Sequence, residues 1–262
     1  MRGADAGHIG WLFLIALLLS LSSPAAAEHE FNDRKVELGL FGSLPIYWGE
    51  GEELSALIAD AQHPGWIRQE LEQRYRLRLL DVLGASGGAN PLGGIGFLML
   101  AQPRALAPVE NVALDQWVRD GGRLLLFVDP MLTAHSAFGL GDRRRPQDVA
   151  LLSPLLAHWG LELLFDEEQQ DAERAIDLFG VTVPVQLSGS FALIDQHEYA
   201  ADDDQSCALY AEGLMTECAI GKGYALIIAD AALLDDARGG SKADRQALAM
   251  LLDRVFRGNH GQ

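Results

Sequence analysis

GGRLLLFVDP, residues 121–130, is the stretch whose reading decides the fold. Two glycines stop a helix, the apolar run Leu124 to Val128 follows without polar interruption, and it ends in Asp129 and Pro130. A strand with no polar alternation needs cover on both faces, which a parallel sheet between two helical layers supplies. Asp129 and Pro130 then fall at the carboxyl edge of that sheet, where open α/β sheets gather their ligands.

Upstream, FLMLA (97–101) is a second buried strand that also ends in a polar residue and proline, Gln102 and Pro103. Between the two, Pro108 opens a helix at the position proline prefers, with Ala113, Leu114, Trp117 and Val118 as its inner face. Lys35 to Phe41 reads as a first strand, and Pro64 as the start of a helix in which Ile67, Leu71 and Tyr75 recur at helical spacing. A short strand over Arg78 to Val82 follows. Downstream, Ser153 begins a short helix and Leu161 to Phe165 a strand. Residues 176–218 change to short strands with turns, read as an antiparallel subdomain. Tyr224 to Ala229 is the last buried strand, ending in Asp230, and Ser241 with Asp244 signs a capping box for the final helix. The expected fold is α/β: a wound, mostly parallel sheet with helices on both faces and a small antiparallel excursion.

The amino terminus reads as an export signal over residues 1–27: Arg2, an apolar core from Ile9 to Leu21, then Pro24 and the small run Ala25 to Ala27. The apolar core is shorter than the roughly 20 residues that span a bilayer. A cleaved signal and a periplasmic chain, 28–262 as one α/β domain, are therefore expected, with an uncleaved anchor as the alternative. No later apolar stretch is long enough to span. The formal charge of −17 repels nucleic acid and favours solubility or a basic partner. The run Arg143 to Arg145 reads as a solvated loop. Cys207 and Cys218 flank YAEG, a plausible hairpin turn, and export makes pairing the default. Sequence leaves the pairing open, because cross-strand distances cannot be read from it.

Several chemistries are excluded by motif. Gly39, Gly42, Gly49 and Gly51 do not make GxGxxG, no GxxxxGK[ST] occurs, and Gly93, Gly94 and Gly96 precede a strand instead of following one. No HExxH is present, and neither Ser43 in GSLP nor Ser188 and Ser190 in LSGSF makes GxSxG. His197, Glu198 and Asp202 to Asp204 read as an exposed loop. No cofactor and no metal are expected. Ser43, Gln102, Asp129 and Asp230 form the candidate rim of a ligand or partner site. Asp129 and Asp230 admit two readings: an acid and base pair or cation site, or side chains that cap following backbone.

Taken in order, LGLFGSLP, HPGWIRQELEQRYRLRLLDV, FLMLAQPRALAPVENVALDQWVRDGGRLLLFVDPM and GKGYALIIADAALL resemble the GldG-type auxiliary proteins of ABC transporters. The resemblance covers most of 36–132 and returns at 219–256. It implies a flavodoxin-like fold of the class I glutamine amidotransferase kind. In true amidotransferases a nucleophilic cysteine follows the strand placed here at Leu124 to Val128. This chain has Asp129 and Pro130 there, and a carboxylate cannot replace an activated thiolate. The resemblance thus implies a non-enzymatic binding module partnered by ABC transporter subunits or another envelope protein. The alternative is a periplasmic hydrolase or carbohydrate-binding protein using the edge carboxylates. Relatives in gliding motility carry membrane helices that this sequence lacks after its first segment.

Overall fold

The computed structural model describes residues 35–50, 63–84, 87, 89–194 and 204–257. The proposed export segment, His197, Glu198, Asp202 and Asp203 lie outside them. Among the described residues no helix is long and apolar enough to cross a membrane.

The chain order is β1 (Val36–Gly42), α1 (Trp66–Arg74), β2 (Tyr75–Leu79), β3 (Phe97–Ala101), α2 (Pro108–Arg119) and β4 (Arg123–Phe127). Next come α3 (Ser153–His158), β5 (Leu161–Leu164), β6 (Arg174–Leu178), β7 (Val181–Val185) and β8 (Ser190–Leu193). The last elements are β9 (Gln205–Tyr210), β10 (Met215–Ile220), β11 (Gly223–Ile228) and α4 (Lys242–Phe256). Seven strands form one sheet in the order β2-β1-β3-β4-β11-β10-β9. Its first five strands are parallel; β10 pairs antiparallel with β11, and β9 pairs antiparallel with β10.

The unbroken apolar run of β4 is explained by what lies on each side. Leu125 and Phe127 pack with Trp66, Ile67 and Leu71 of α1 and Leu248, Leu251, Leu252 and Val255 of α4. Leu124, Leu126 and Val128 pack with Leu114 and Val118 of α2 and Leu155 and Leu156 of α3. Successive side chains leave a strand on opposite faces, so a strand roofed twice has no position for a polar residue. The helices need the close approach that glycine allows. A Cβ on Gly223 would lie 1.9 Å from the Val118 carbonyl oxygen, so α2 can end directly against the start of β11 only with glycine there.

Several strand ends shift by one residue from the sequence reading, and larger differences fall at α1, at β2 and in the stretch 176–218. α1 starts at Trp66, with Gly65 before it, and not at Pro64. β2 begins at Tyr75, directly on the last residue of α1, because Tyr75 is already extended and buries its ring against Phe97 and Phe256. The stretch 176–218 is not one subdomain. β6 pairs with β7 and β8 with β5 in two small sheets, whereas β9 and β10 extend the main sheet from β11. Met215, Thr216, Cys218 and Ile220 are buried there, so β10 is a core strand. The capping box of α4 is present, with the Ser241 side chain accepting from the Asp244 N–H and Asp244 accepting from the Ser241 N–H.

Candidate functional site

Ser43, Gln102, Asp129 and Asp230 follow β1, β3, β4 and β11, four neighbouring strands, so the parallel register collects them at one carboxyl edge. What forms there is a closed hydrogen-bond network. Gln102 is wholly buried and holds a left-handed backbone, φ 45°. Its amide oxygen accepts from the Asp129 N–H at 2.7 Å, and its amide nitrogen donates to the Asp129 carbonyl at 2.9 Å and the Gln147 carbonyl at 2.8 Å. The Ser43 hydroxyl donates to the Gln102 carbonyl and accepts from the Gln147 N–H at 2.8 Å.

The two aspartates are set into this network as caps. One Asp129 oxygen accepts from the Met131 N–H at 2.8 Å and the other from the Ala231 N–H at 3.0 Å, across to the chain leaving β11. Asp230 accepts from the Ala232 N–H at 2.6 Å and the Gln186 N–H at 2.8 Å. Their exposures are 0% and 2%, so both side chains are buried. Burial pushes Asp129 up to about 6, against the pull of its two N–H donors. Burial pushes Asp230 further, to about 8, with the charge of Asp129 adding and its N–H donors and Arg174 opposing. Each carboxylate, with both oxygens taken by backbone N–H groups, ties two stretches of chain together at this edge.

Gln147 and Gln186 complete the edge and were invisible in the sequence. Each acts partly through its main chain, to which any residue type gives the same groups. Arg104 and Glu110 form a second charged site that the sequence did not signal. The buried Glu110 carboxylate receives Arg104 at 2.8 Å through both guanidinium nitrogens, the Ala107 N–H at 2.8 Å and the Leu83 N–H at 3.2 Å. Hydrogen bonding from Arg104 is the main force holding Glu110 down to about 2. Arg144 and Arg145 are paired locally with Asp142 and Asp148. Among the described residues no group of three or more His, Cys, Asp or Glu is placed to hold a metal.

Among the described residues, two open concavities lie along the antiparallel end of the sheet. Cys207 and Cys218 are bridged between β9 and β10, their Cα atoms 4.1 Å apart. On one face of the sheet a cleft of about 330 Å³ is lined by Trp159, Gly160, Leu193, Ile194 and Gln205. On the other a cleft of about 590 Å³ is lined by Arg123, Ser206, Ala208, Glu217, Lys222 and Tyr224.

The family model described as an ABC-type uncharacterized transport system matches residues 42–187. No curated protein matches the sequence. Among solved structures, the chain is similar to Gan42B, a GH42 beta-galactosidase from G. stearothermophilus, at 15% identity and a TM-score of 0.45. The match covers 84% of this chain and 30% of that one. The exo-beta-1,4-mannosidase Op5Man5 from Opitutaceae bacterium strain TAV5 matches at 10% identity and a TM-score of 0.45, over 87% of this chain and 38% of that one. A ThuA-like protein from Bacteroides uniformis matches at 10% identity and a TM-score of 0.40, over 86% of this chain and 94% of that one. The chain thus spans less than two fifths of either glycosidase. At these TM-scores the likenesses carry no argument about fold or activity.

Proposed function

The chain belongs to the family of ABC-type uncharacterized transport systems, and from that membership we propose that it is an exported, non-enzymatic accessory protein that binds a transporter subunit or another envelope protein. The observation that carries the non-enzymatic part is the state of the carboxyl edge. Asp129 and Asp230, the residues best placed to act on a substrate, are buried and each accepts two backbone N–H groups. The hydrolase or carbohydrate-binding alternative needs those carboxylates open to a ligand, whereas here backbone N–H groups occupy their oxygens.

The parallel part of the sheet, in the order β2-β1-β3-β4-β11, supports a flavodoxin-like reading, and with it the amidotransferase-like and GldG-type one. In that scheme Asp129 and Pro130 stand where a nucleophile would. The two cysteines are held in the bridge, and among the described residues none is free. A disulfide suits an oxidising compartment, which supports export.

The test is capture of the tagged full chain from fractionated cells, with the eluate identified by mass spectrometry. Transporter subunits are expected to co-elute from the envelope fraction. Their absence there, or turnover of a glutamine amide or a glycoside that is lost in Asp129→Asn, overturns the proposal.

A further inference from the structure

Gln186 to Gly189 carry the chain from the end of β7 to the start of β8 and lie as a strap across the carboxyl edge beside Asp230. On its inner side the Gln186 N–H donates to the Asp230 carboxylate at 2.8 Å and the Gly189 N–H to the Ala229 carbonyl at 2.8 Å. A Cβ on Gly189 would lie 2.9 Å from the Pro130 side chain, so the strap also rests on Pro130 and needs glycine to do so. On its outer side the Gln186 side chain donates to Asp171 at 2.7 Å, and Gln169 and Arg174 donate to Ser188 at 3.0 and 3.1 Å. Leu187, between these ties, holds a left-handed backbone at φ 51°, which a residue with a side chain adopts only at a cost. The strap is therefore held down against its own backbone preference.

What holds it is a pair of acids. The parallel register sets Phe127 opposite Ile228, and the ladder runs on through the Val128 N–H to the Ile228 carbonyl. Two residues further along each strand come Asp129 and Asp230, and Asp129 reaches across to the N–H of Ala231, the residue after Asp230. Both side chains are buried, and four backbone N–H groups engage their oxygens. Among the described residues no cation is hydrogen-bonded to either carboxylate. Two neighbouring buried carboxylates do not ionise independently, because the first charge opposes the second.

The charges packed around the pair leave this unchanged. Arg174 acts on Asp230 without bonding to it, its guanidinium engaged by Ser188 and Gln169. Asp171 adds a like charge beyond Gln186, and Asp148 of the neighbouring loop is paired with Arg145. Ser43, Gln102 and Gln147, which close the edge from the other strands, carry no charge. Burial first, and the charge of Asp129 second, push Asp230 up to about 8. The amide donors suit one negative charge. A second has no cation to meet it and is accommodated by water, which reaches the pair where the strap lifts.

We propose that Asp129 and Asp230 form a proton-operated latch: the strap lies closed while the pair holds one proton, and lifts at Gln186 when both carboxylates ionise. The inference goes beyond the accessory role, and the edge so opened is where wound sheets gather their ligands.

Amide hydrogen exchange of the full chain, corrected for the intrinsic rate at each pH, reads the strap at Gln186 and Gly189 and the sheet at β4. Between pH 6 and 9 protection of the two strap amides is expected to fall at least about tenfold. Lifting four residues exposes little surface, so strap exchange at pH 9 is expected to be insensitive to urea below the unfolding transition, whereas β4 exchange quickens with it. In Asp230→Asn strap protection is expected to be the same at both pH values, whatever its level, and in Asp129→Asn the fall is expected to be smaller. Strap protection that does not fall in the parent chain, or a fall that survives in Asp230→Asn, overturns the proposal. So does strap exchange that climbs with urea as steeply as that of β4, which means that only unfolding of the whole sheet frees the strap. Capture of transporter subunits can fail or succeed independently of all these outcomes.

Discussion

Gln102 holds the backbone of Asp129 as a neighbouring strand would, its side-chain amide accepting from the Asp129 N–H at 2.7 Å and donating to the Asp129 carbonyl at 2.9 Å. The ladder between β3 and β4 is thereby continued one step past its end by a side chain. Gln102→Ala leaves the buried Asp129 N–H without an acceptor and is expected to cost about 3 kcal/mol. Gln102→Glu keeps the acceptor but turns a second carboxylate oxygen toward the carbonyls of Asp129 and Gln147. Its loss is expected to be as large at pH 7 and smaller at pH 5, where protonation restores a donor. Urea unfolding of both variants at the two pH values checks this. Equal loss for Gln102→Glu at both pH values contradicts the assigned roles of the two amide atoms.

The buried aspartates set the sign of the pH response. Both stand above the ordinary carboxylate value, Asp129 at about 6 and Asp230 at about 8, with burial the first cause in each. Over the range between the unfolded and folded values, the folded chain holds a proton that the unfolded chain has released. Stability then falls as pH rises. Between pH 6 and 8 the remaining contribution is that of Asp230, and a fall of about 1 kcal/mol per pH unit is expected there. Asp230→Asn is expected to flatten this part of the curve. Chemical denaturation at half-unit intervals from pH 5 to 9 measures it, and an unchanged slope in the variant removes Asp230 as the cause.

Glu110 works in the opposite direction. Its folded value is held near 2 chiefly by Arg104, so its contribution is complete above the unfolded value and is lost as pH falls toward 2. The Glu110 side chain is 4% exposed and that of Arg104 43%. Removing the arginine therefore strands a buried carboxylate that water reaches only from the arginine side. Arg104→Met is expected to cost about 2 kcal/mol at pH 7, discounted for that exposure. The acid limb of unfolding should move to higher pH as Glu110 titrates more normally. An acid midpoint that stays in place shows that the backbone N–H groups of Ala107 and Leu83 suffice.

The parts of this molecule legible in sequence are those in which side-chain type and spacing carry the physics. β3 and α2 match their expected bounds because five apolar residues in a row and Pro108 at the helix start leave few alternatives. Ser241 and Asp244 announce α4 through a side-chain exchange that only such residues make. Asp129 and Asp230 are where the strand ends predict them, yet their use depends on the N–H groups of Met131, Ala231, Ala232 and Gln186, which every residue there except proline would supply. The placement of β9 and β10 was hidden for a related reason. Short strands with turns look alike whether they pair among themselves or with β11, and long-range register leaves no local mark.

The bridge between Cys207 and Cys218 joins residues separated by 11 in sequence, directly opposite each other on β9 and β10. Closing so short a loop restricts the unfolded chain by about 3 kcal/mol in the chain-entropy account. Its effect on the folded state is uneven. β10 is held on both sides, by β9 and β11, whereas β9 pairs with β10 alone among the described strands. Replacing both cysteines by serine is therefore expected to lower overall stability by about 2 to 3 kcal/mol. Amide exchange should quicken most in β9, least in β4 and β11, where the core is roofed on both faces. Thermal unfolding with and without reductant, alongside site-resolved exchange, separates the two effects. The reductant is expected to shift the parent chain and leave the double variant unmoved. Uniform quickening across all seven strands means that the bridge stabilises the molecule only globally and does not hold the edge strand in place.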